Sequence, residues 1–219
     1  MNIDSRILVI AAHPDDMEYG CAGTIAKFID EGATVDLMIV VRPGDEITEG
    51  RDRFIVTKEL ESSLEILDLE WRTLATQPGR PHVVCSPNTV TELDRHFGDN
   101  EYDLVISNDP GDYHQDHVET FKLANSFCRK NVKEFWTMES LPYANRNTTF
   151  TPNVFVDIDK YFETKLHMLS CYKSVLRTST DYAEVTALST YRAAILPTAF
   201  HAEAFQQHFR LFDDNDWGL

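Results

Sequence analysis

Two short clusters of histidine and aspartate carry the side chains of this sequence that are best suited to metal binding and acid–base chemistry. The first is HPDD, from His13 to Asp16, and the second is DYHQDH, from Asp112 to His117. A catalytic zinc ion takes three protein ligands, commonly His, Asp or Glu, and keeps a fourth position open for water. The ion lowers the pKa of that water to about 7, and a nearby carboxylate can then act as the base. Together the two clusters would supply both the ligands and the base.

Each cluster taken alone also has a purely structural explanation. Asp15 or Asp16 could cap the helix that follows, because the first amides of a helix need an acceptor. His114 and His117 could be loop histidines whose hydrogen bonds are satisfied locally. Chemistry is favoured because the clusters follow two different predicted strands, and the carboxyl ends of strands line the ligand-binding crevice of an open α/β sheet. Aspartates at a helix N-terminus are also kept ionised by the helix dipole, which suits a ligand or a base.

Short apolar runs alternate along the chain with segments of helical periodicity. This pattern predicts an α/β fold with a mostly parallel sheet and helices on both of its faces. The run ILVIAA is uninterrupted, as expected for a central strand that is covered on both sides. No element is predicted beyond Lys173. The predicted strands are 7–12, 35–41, 71–76, 104–107, 135–138 and 154–158, and the predicted helices are 19–31, 53–67, 117–131 and 161–172, with a short helix within 77–100.

Length and charge limit the class of protein. A chain of 219 residues fits a single domain over residues 1–219. The 20 Lys and Arg residues against 36 Asp and Glu give a net charge of −16, which argues against nucleic acid and anionic membrane surfaces as partners. The sequence contains no apolar run of about 18 residues and begins without a signal-peptide pattern, so a soluble cytoplasmic protein is expected.

Absent motifs exclude several other functions. The four cysteines form no CxxC pair, which predicts free thiols in a reducing compartment and no structural zinc site. The sequence also contains no GxGxxG, P-loop or GxSxG motif. Dinucleotide binding, nucleotide hydrolysis and serine-hydrolase chemistry therefore lack support.

The two clusters and their surroundings resemble the PIG-L/LmbE family of zinc-dependent N-acetylglucosaminide deacetylases. The matching segments are HPDDMEYGCAGT (13–24), DYHQDH (112–117), FVDIDKYFETK (155–165) and AEAF (202–205), and the resemblance covers about residues 6–206. It implies a Rossmann-like fold and a bound zinc, or another first-row divalent ion. It further implies hydrolysis of a linear amide, in which the N-acetyl group of an N-acetylglucosamine-type sugar or glycoconjugate is removed and acetate is released.

The resemblance also implies a role for each matching side chain. Asp15 would be the general base that activates the water on the metal. His114 would stabilise the oxyanion or protonate the amine, and Asp116 would orient a histidine. The implied metal ligands are His13, Asp16 and His117.

Substrate contacts match the family less closely. A family arginine at the start of the second helix falls here on Val56, and Arg53, one helical turn earlier, is the candidate replacement. Arg192 lies near the position of another family arginine. The polar loop 42–52 is predicted to form a lid or rim over the crevice. Glu18 is expected to be a helix N-terminal charge, and four histidines that match nothing are expected to be surface or packing residues, namely His82, His96, His167 and His208.

Two other functions stay open at this point. A metal hydrolase could act on another bond, such as a phosphoester, although a net charge of −16 would repel phosphates. An inactive metal-binding or carbohydrate-binding protein would be expected to lack Asp15 or His114, and both are present. The expected partner is a small amino-sugar substrate, with neither nucleic acid nor membrane, and a homo-oligomer is left open.

Overall fold

The computed structural model describes residues 5–44, 53–76, 81–139, 150–174 and 179–212. Within these ranges the strands are β1 (Arg6–Ala11), β2 (Thr34–Ile39), β3 (Trp71–Thr73), β4 (Leu104–Asn108), β5 (Glu134–Met138), β6 (Val154–Asp157) and β7 (Ala202–Arg210). The helices are α1 (Asp16–Gly20), α2 (Ala22–Asp30), α3 (Arg53–Glu65), α4 (Pro87–Phe97), α5 (Gln115–Phe127), α6 (Phe162–Ser170), which a 3₁₀ turn precedes at Asp159–Tyr161, and α7 (Ser179–Ala193). No helix among these residues is long and apolar enough to cross a membrane.

The described strands form one sheet in the order β3-β2-β1-β4-β5-β7-β6. The first five strands of this order are parallel, whereas β7 runs antiparallel to both β5 and β6. From β1 the chain proceeds to β2 and β3 on one side, and then returns to place β4 on the other side of β1. The sheet order therefore reverses between β1 and β4, which is where ligands bind in open α/β sheets.

The core lies on both faces of the sheet, and β1 contributes to each. Ile7, Val9 and Ala11 pack on one face, and Leu8 and Ile10 pack on the other, as the alternation of side chains along a strand requires. The first face is covered by Met17, Ile25, Leu60 and Met168, from α1, α2, α3 and α6, and the second by Leu93 and Leu123, from α4 and α5. The predicted fold, a mostly parallel sheet with helices on both faces, is confirmed.

One predicted helix is divided in two. The predicted helix 19–31 is replaced by α1 and α2, which are separated at Cys21, where φ is −148°. The side chain of Glu203, from β7, accepts hydrogen bonds from the backbone N–H groups of Gly23 and Thr24. Because this carboxylate satisfies free amides in the first turn of α2, the second helix begins anew and does not continue the first.

Candidate active site

The two clusters meet at the point where the sheet order reverses. His13 follows β1, and the second cluster follows β4, the strand that pairs with β1. The backbone N–H of Ala12 donates to Oδ1 of Asn108 at 2.9 Å, which joins the two strand ends directly. The structure thus brings together side chains that are about a hundred residues apart in the sequence.

Donor atoms of three residues, His13, Asp16 and His117, converge between the clusters. Nδ1 of His13 lies 3.2 Å from Nε2 of His117, and that nitrogen lies 3.3 Å from Oδ1 of Asp16. Nδ1 of His13 lies 3.7 Å from Oδ2 of Asp16. Ligand atoms about 2.0–2.1 Å from a tetrahedral zinc ion are about 3.3 Å apart, so these spacings fit a divalent ion.

His114 offers a second possible donor set. Its ligand atom and those of His13 and His117 lie within 4.8 Å of one another. However, Nδ1 of His114 accepts a hydrogen bond from the backbone N–H of Asp116 at 3.2 Å. The neutral imidazole therefore carries its proton on Nε2. Two ligand sets share His13 and His117, one completed by Asp16 and one by His114, and the hydrogen bond to Nδ1 of His114 favours the set with Asp16.

A carboxylate contacts the ring nitrogen of His13, and another that of His117, on the side away from the converging donors. Oδ2 of Asp112 lies 2.7 Å from Nδ1 of His117, and Oδ2 of Asp116 lies 3.1 Å from Nε2 of His13. Partners of this kind fix the tautomer and the ring orientation of metal-ligating histidines. Asp112 belongs to the DYHQDH cluster, but the sequence assigned it no role.

His82 is a further residue that the sequence did not identify. It is buried, its Nδ1 lies 2.9 Å from Oδ2 of Asp116, and its backbone N–H donates to Oδ1 of the same carboxylate at 2.7 Å. Asp116 therefore links His82 to His13. The one available signal was that His82 follows β3, at the same edge of the sheet as the two clusters.

The adjacent aspartates differ in what they contact. The Asp16 carboxylate accepts hydrogen bonds from the backbone N–H of His13 and from Nδ2 of Asn108. Asp15 precedes α1 with φ at 85°, a left-handed conformation that costs a residue with a side chain about 1 kcal/mol or more, and its side chain makes no capping bond. Helix capping therefore does not explain either residue, and unfavourable backbone geometry of this kind is concentrated at functional sites.

The charges around the site shift several pKa values. Burial lowers the pKa of His13 and of His117, but the neighbouring carboxylates outweigh it and raise the two values to about 9 and about 10. Burial, together with these two histidines, lowers the pKa of His114 to about 4, and it is therefore neutral at pH 7. Burial and then the charge of Asp16 raise the pKa of Asp15. The carboxylates thus favour positive charge between His13 and His117, which a bound cation would supply.

The two candidate substrate residues belong to other elements, Arg53 to α3 and Arg192 to α7. Arg192 donates through Nε and Nη2 to the two oxygens of Glu139, which follows β5, at 2.8 and 2.5 Å. Arg53 begins α3, and its side chain lies outside the described part of the structure, as do residues 45–52 of the predicted lid.

The family model described as PIG-L, GlcNAc-PI de-N-acetylase, matches residues 8–128. The protein YaiS of Escherichia coli K12, described as an uncharacterized deacetylase, is 28% identical over 179 residues, and the match covers 77% of this chain and 90% of YaiS.

Two solved structures show the same fold. N,N'-diacetylchitobiose deacetylase from Pyrococcus horikoshii has a TM-score of 0.74 at 20% identity, over 96% of this chain and 88% of the other. The 4-carboxy-2-hydroxymuconate hydratase GalB from Pseudomonas putida KT2440 has a TM-score of 0.81 at 17% identity, over 96% and 99%. Likeness at this level of identity shows the fold alone, whereas the family model covers more than half of the chain, including both clusters. The chain therefore belongs to the PIG-L family of deacetylases.

Proposed function

We propose that this protein is a metal-dependent N-deacetylase that hydrolyses the acetamido group of an N-acetylglucosamine-type amino sugar or glycoconjugate and releases acetate. The observation that carries the proposal is the convergence of donor atoms from three residues, next to a carboxylate and a neutral imidazole that are not part of this donor set. Amide hydrolysis needs these three functions, namely an electrophile, a base and a hydrogen-bond donor at the developing oxyanion.

His13, Asp16 and His117 would hold zinc or another first-row divalent ion. Their spacing supports this set, and Asp112 and Asp116 support it from the far side of each imidazole. A divalent ion at this position would polarise the acetyl carbonyl and lower the pKa of a water molecule.

Asp15 would take the proton from the attacking water and then give it to the amide nitrogen as the C–N bond breaks, so that the free amine leaves. It directly precedes the proposed ligand Asp16, but its carboxylate is not used to cap α1. Burial and the charge of Asp16 raise its pKa, which makes it a stronger base than an exposed aspartate.

His114 would donate a hydrogen bond to the negatively charged oxygen that forms from the acetyl carbonyl group. Its Nδ1 accepts from the backbone N–H of Asp116, which leaves the proton on Nε2, and its low pKa keeps the ring neutral. This protonation state supports a hydrogen-bond donor over a full proton donor.

The substrate proposal draws on the family model and on the relatives, since the fold is also shared by the hydratase GalB. The deacetylase relative from Pyrococcus horikoshii is named for a chitobiose substrate, which makes acetylated chitobiose a suitable test compound. A phosphoester substrate is disfavoured by the carboxylates of the site and by the net charge of −16.

The test is a set of acetate-release assays with zinc-loaded and chelator-treated protein on N-acetylglucosamine and N,N'-diacetylchitobiose. We expect acetate and free amine to appear in equal amounts with the loaded protein, and neither to appear after chelation. The Asp15→Asn variant, loaded with the same amount of zinc, serves as the matched control. The proposal would be contradicted if the chelated protein released acetate. It would also be contradicted if the fully zinc-loaded protein released no acetate from any acetylated sugar.

A further inference from the structure

The short helix α1 needs external support to hold its position. It has five residues, it begins at Asp16 directly after Asp15, and it ends where the helical conformation is interrupted at Cys21. An isolated helix of this length is not stable in water. Whatever fixes α1 therefore also fixes the two aspartates relative to His13, in the loop after β1, and to His117, in α5.

A buried ion pair lies at the junction of α1 and α2. Nζ of Lys165 lies 2.5 Å from Oε1 of Glu203, and each side chain is 2% exposed. Lys165 also donates to the backbone carbonyl of Tyr19, in α1, at 2.7 Å. Glu203 accepts from the backbone N–H groups of Gly23 and Thr24, in α2, at 3.0 and 2.7 Å. The pair thus joins the last turn of α1 to the first turn of α2.

The two residues of the pair come from α6 and β7, in the segments 155–165 and 202–205 that resemble the family. The proposed mechanism gives these segments no role, because neither residue is among the converging donors or their direct partners. The ion pair is therefore one physical link between the C-terminal part of the chain and α1.

Glu18 holds α1 from a second direction. It lies in the first turn of α1, as the sequence predicted. It is also fully buried, and its Oε1 accepts from Oγ of Ser63 at 2.6 Å and from Oη of Tyr172 at 2.8 Å. Gly20 packs so closely on Met138 that a Cβ there would lie 2.5 Å from the methionine sulfur. With such close contacts around α1, a shift of the helix would require several neighbours to move.

Stability alone is a poor reason for a buried ion pair. Taking two charges out of water costs about as much as their attraction returns, and apolar side chains of similar volume are often at least as stabilising. Apolar side chains could not bond the carbonyl of Tyr19 or the amides of Gly23 and Thr24. Fixing those backbone groups in one position is what the pair contributes.

We propose that Lys165 and Glu203 are positioning residues that hold α1 so that Asp15 and Asp16 stay in place next to His13 and His117. This inference rests on the proposed function of the site. Without the pair, Asp16 no longer lies at a constant distance from His13 and His117. The affinity for metal then falls, and so does kcat at full metal occupancy, because Asp15 moves with the same helix.

The first experiment measures zinc affinity by competition with a chromophoric chelator, with zinc alone as the probe, in Lys165→Met and in the double variant Lys165→Met/Glu203→Gln. The double variant leaves no unpaired buried charge, so it stays measurable if the single variant does not fold. We expect a loss of affinity of about 10-fold or more in either protein, as for residues that orient metal ligands. Affinity within twofold of wild type in the folded variants would overturn the proposal.

Two controls separate positioning from general stability. Lys160→Met removes the exposed Lys160–Asp30 pair, which also joins α2 to the segment before α6, and its zinc affinity should equal that of wild type. Leu93 lies in α4 and packs in the core on the other face of the sheet. Leu93→Ala creates a cavity in that core and lowers Tm, although this residue belongs to the face that α1 does not cover. At an equal loss of Tm, zinc affinity should fall in Lys165→Met and not in Leu93→Ala. Equal losses of affinity would show that the pair acts through stability alone.

A metal-free measurement completes the test. Amide hydrogen exchange of residues 16–24 should be faster in the double variant than in Leu93→Ala, and unchanged exchange there would also overturn the proposal. Both readouts, zinc affinity and exchange, are independent of substrate. If wild-type protein binds zinc but hydrolyses no acetylated sugar, the proposed function fails. Zinc affinity and hydrogen exchange in the variants would still show whether the ion pair positions α1.

Discussion

Oδ2 of Asp112 lies 2.7 Å from Nδ1 of His117, and Oδ1 of the same carboxylate accepts from the backbone N–H of His114 at 2.8 Å. One side chain thus orients a proposed metal ligand and also positions the residue proposed to face the oxyanion. Both carboxylate oxygens meet an N–H donor, so an amide at this position would satisfy only one of them.

Replacement of Asp112 by Asn should therefore weaken metal binding. We expect zinc affinity to fall by about 10- to 100-fold, the range for partners of metal-ligating histidines. Competition with a chromophoric chelator measures the change. Asp99→Asn, an exposed carboxylate after α4, is the matched control and should bind zinc as wild type does. Wild-type affinity in Asp112→Asn would show that this contact does not support the metal site.

Removal of the His114 side chain distinguishes the two ligand sets. With His13, Asp16 and His117 as ligands, His114→Ala should retain one zinc per chain and lose about 10²–10³ in kcat, as expected when an oxyanion donor is removed. Metal content by elemental analysis and kcat from acetate release give the two values. Loss of zinc in this variant would instead identify the three histidines as the ligands.

His82 should have a smaller effect than Asp112, because part of its contact with Asp116 is made by the backbone. The N–H of His82 donates to Oδ1 of Asp116 whatever the side chain is. We expect His82→Ala to lower zinc affinity by less than about 10-fold, the lower limit for residues bonded directly to a ligand. His96→Ala, on the exposed side of α4, provides the comparison in the same titration. A larger loss than in Asp112→Asn would place His82 closer to the metal than the structure does.

Metal removal and restoration test the dependence on a divalent ion. Wild-type protein should contain one ion per chain, lose acetate release on chelation and regain it with Zn²⁺ or another first-row divalent ion. His117→Ala should fail to regain either metal or activity, since one of the three donors is absent. Unchanged metal content in His117→Ala would contradict the ligand assignment.

The sequence identified the parts of the fold and site that depend on local pattern. The apolar run of β1 predicted a central strand, and this strand is buried on both faces. The clusters at residues 13–16 and 112–117 directly follow β1 and β4, so general knowledge of α/β sheets was sufficient to place them together.

The features that were missed depend on contacts between distant segments. The strand β7 contains Glu203 near its beginning and two glutamines and a histidine further on, so its composition does not indicate an inner strand. The interruption between α1 and α2 at Cys21 depends on the carboxylate of Glu203, which follows about 180 residues later. His82 reaches the site through its bonds to Asp116, about 34 residues later in the chain, and no local pattern signals this contact.

The central claim is that the two adjacent aspartates have different roles: Asp16 binds the metal, and Asp15 is the general base. The most direct test compares zinc content and kcat in Asp15→Asn and Asp16→Asn at the same pH. The account predicts that Asp15→Asn keeps one zinc per chain with kcat lowered by about 10²–10⁴-fold and KM little changed, whereas Asp16→Asn loses zinc and activity together. Full zinc content with near wild-type kcat in Asp15→Asn would contradict it.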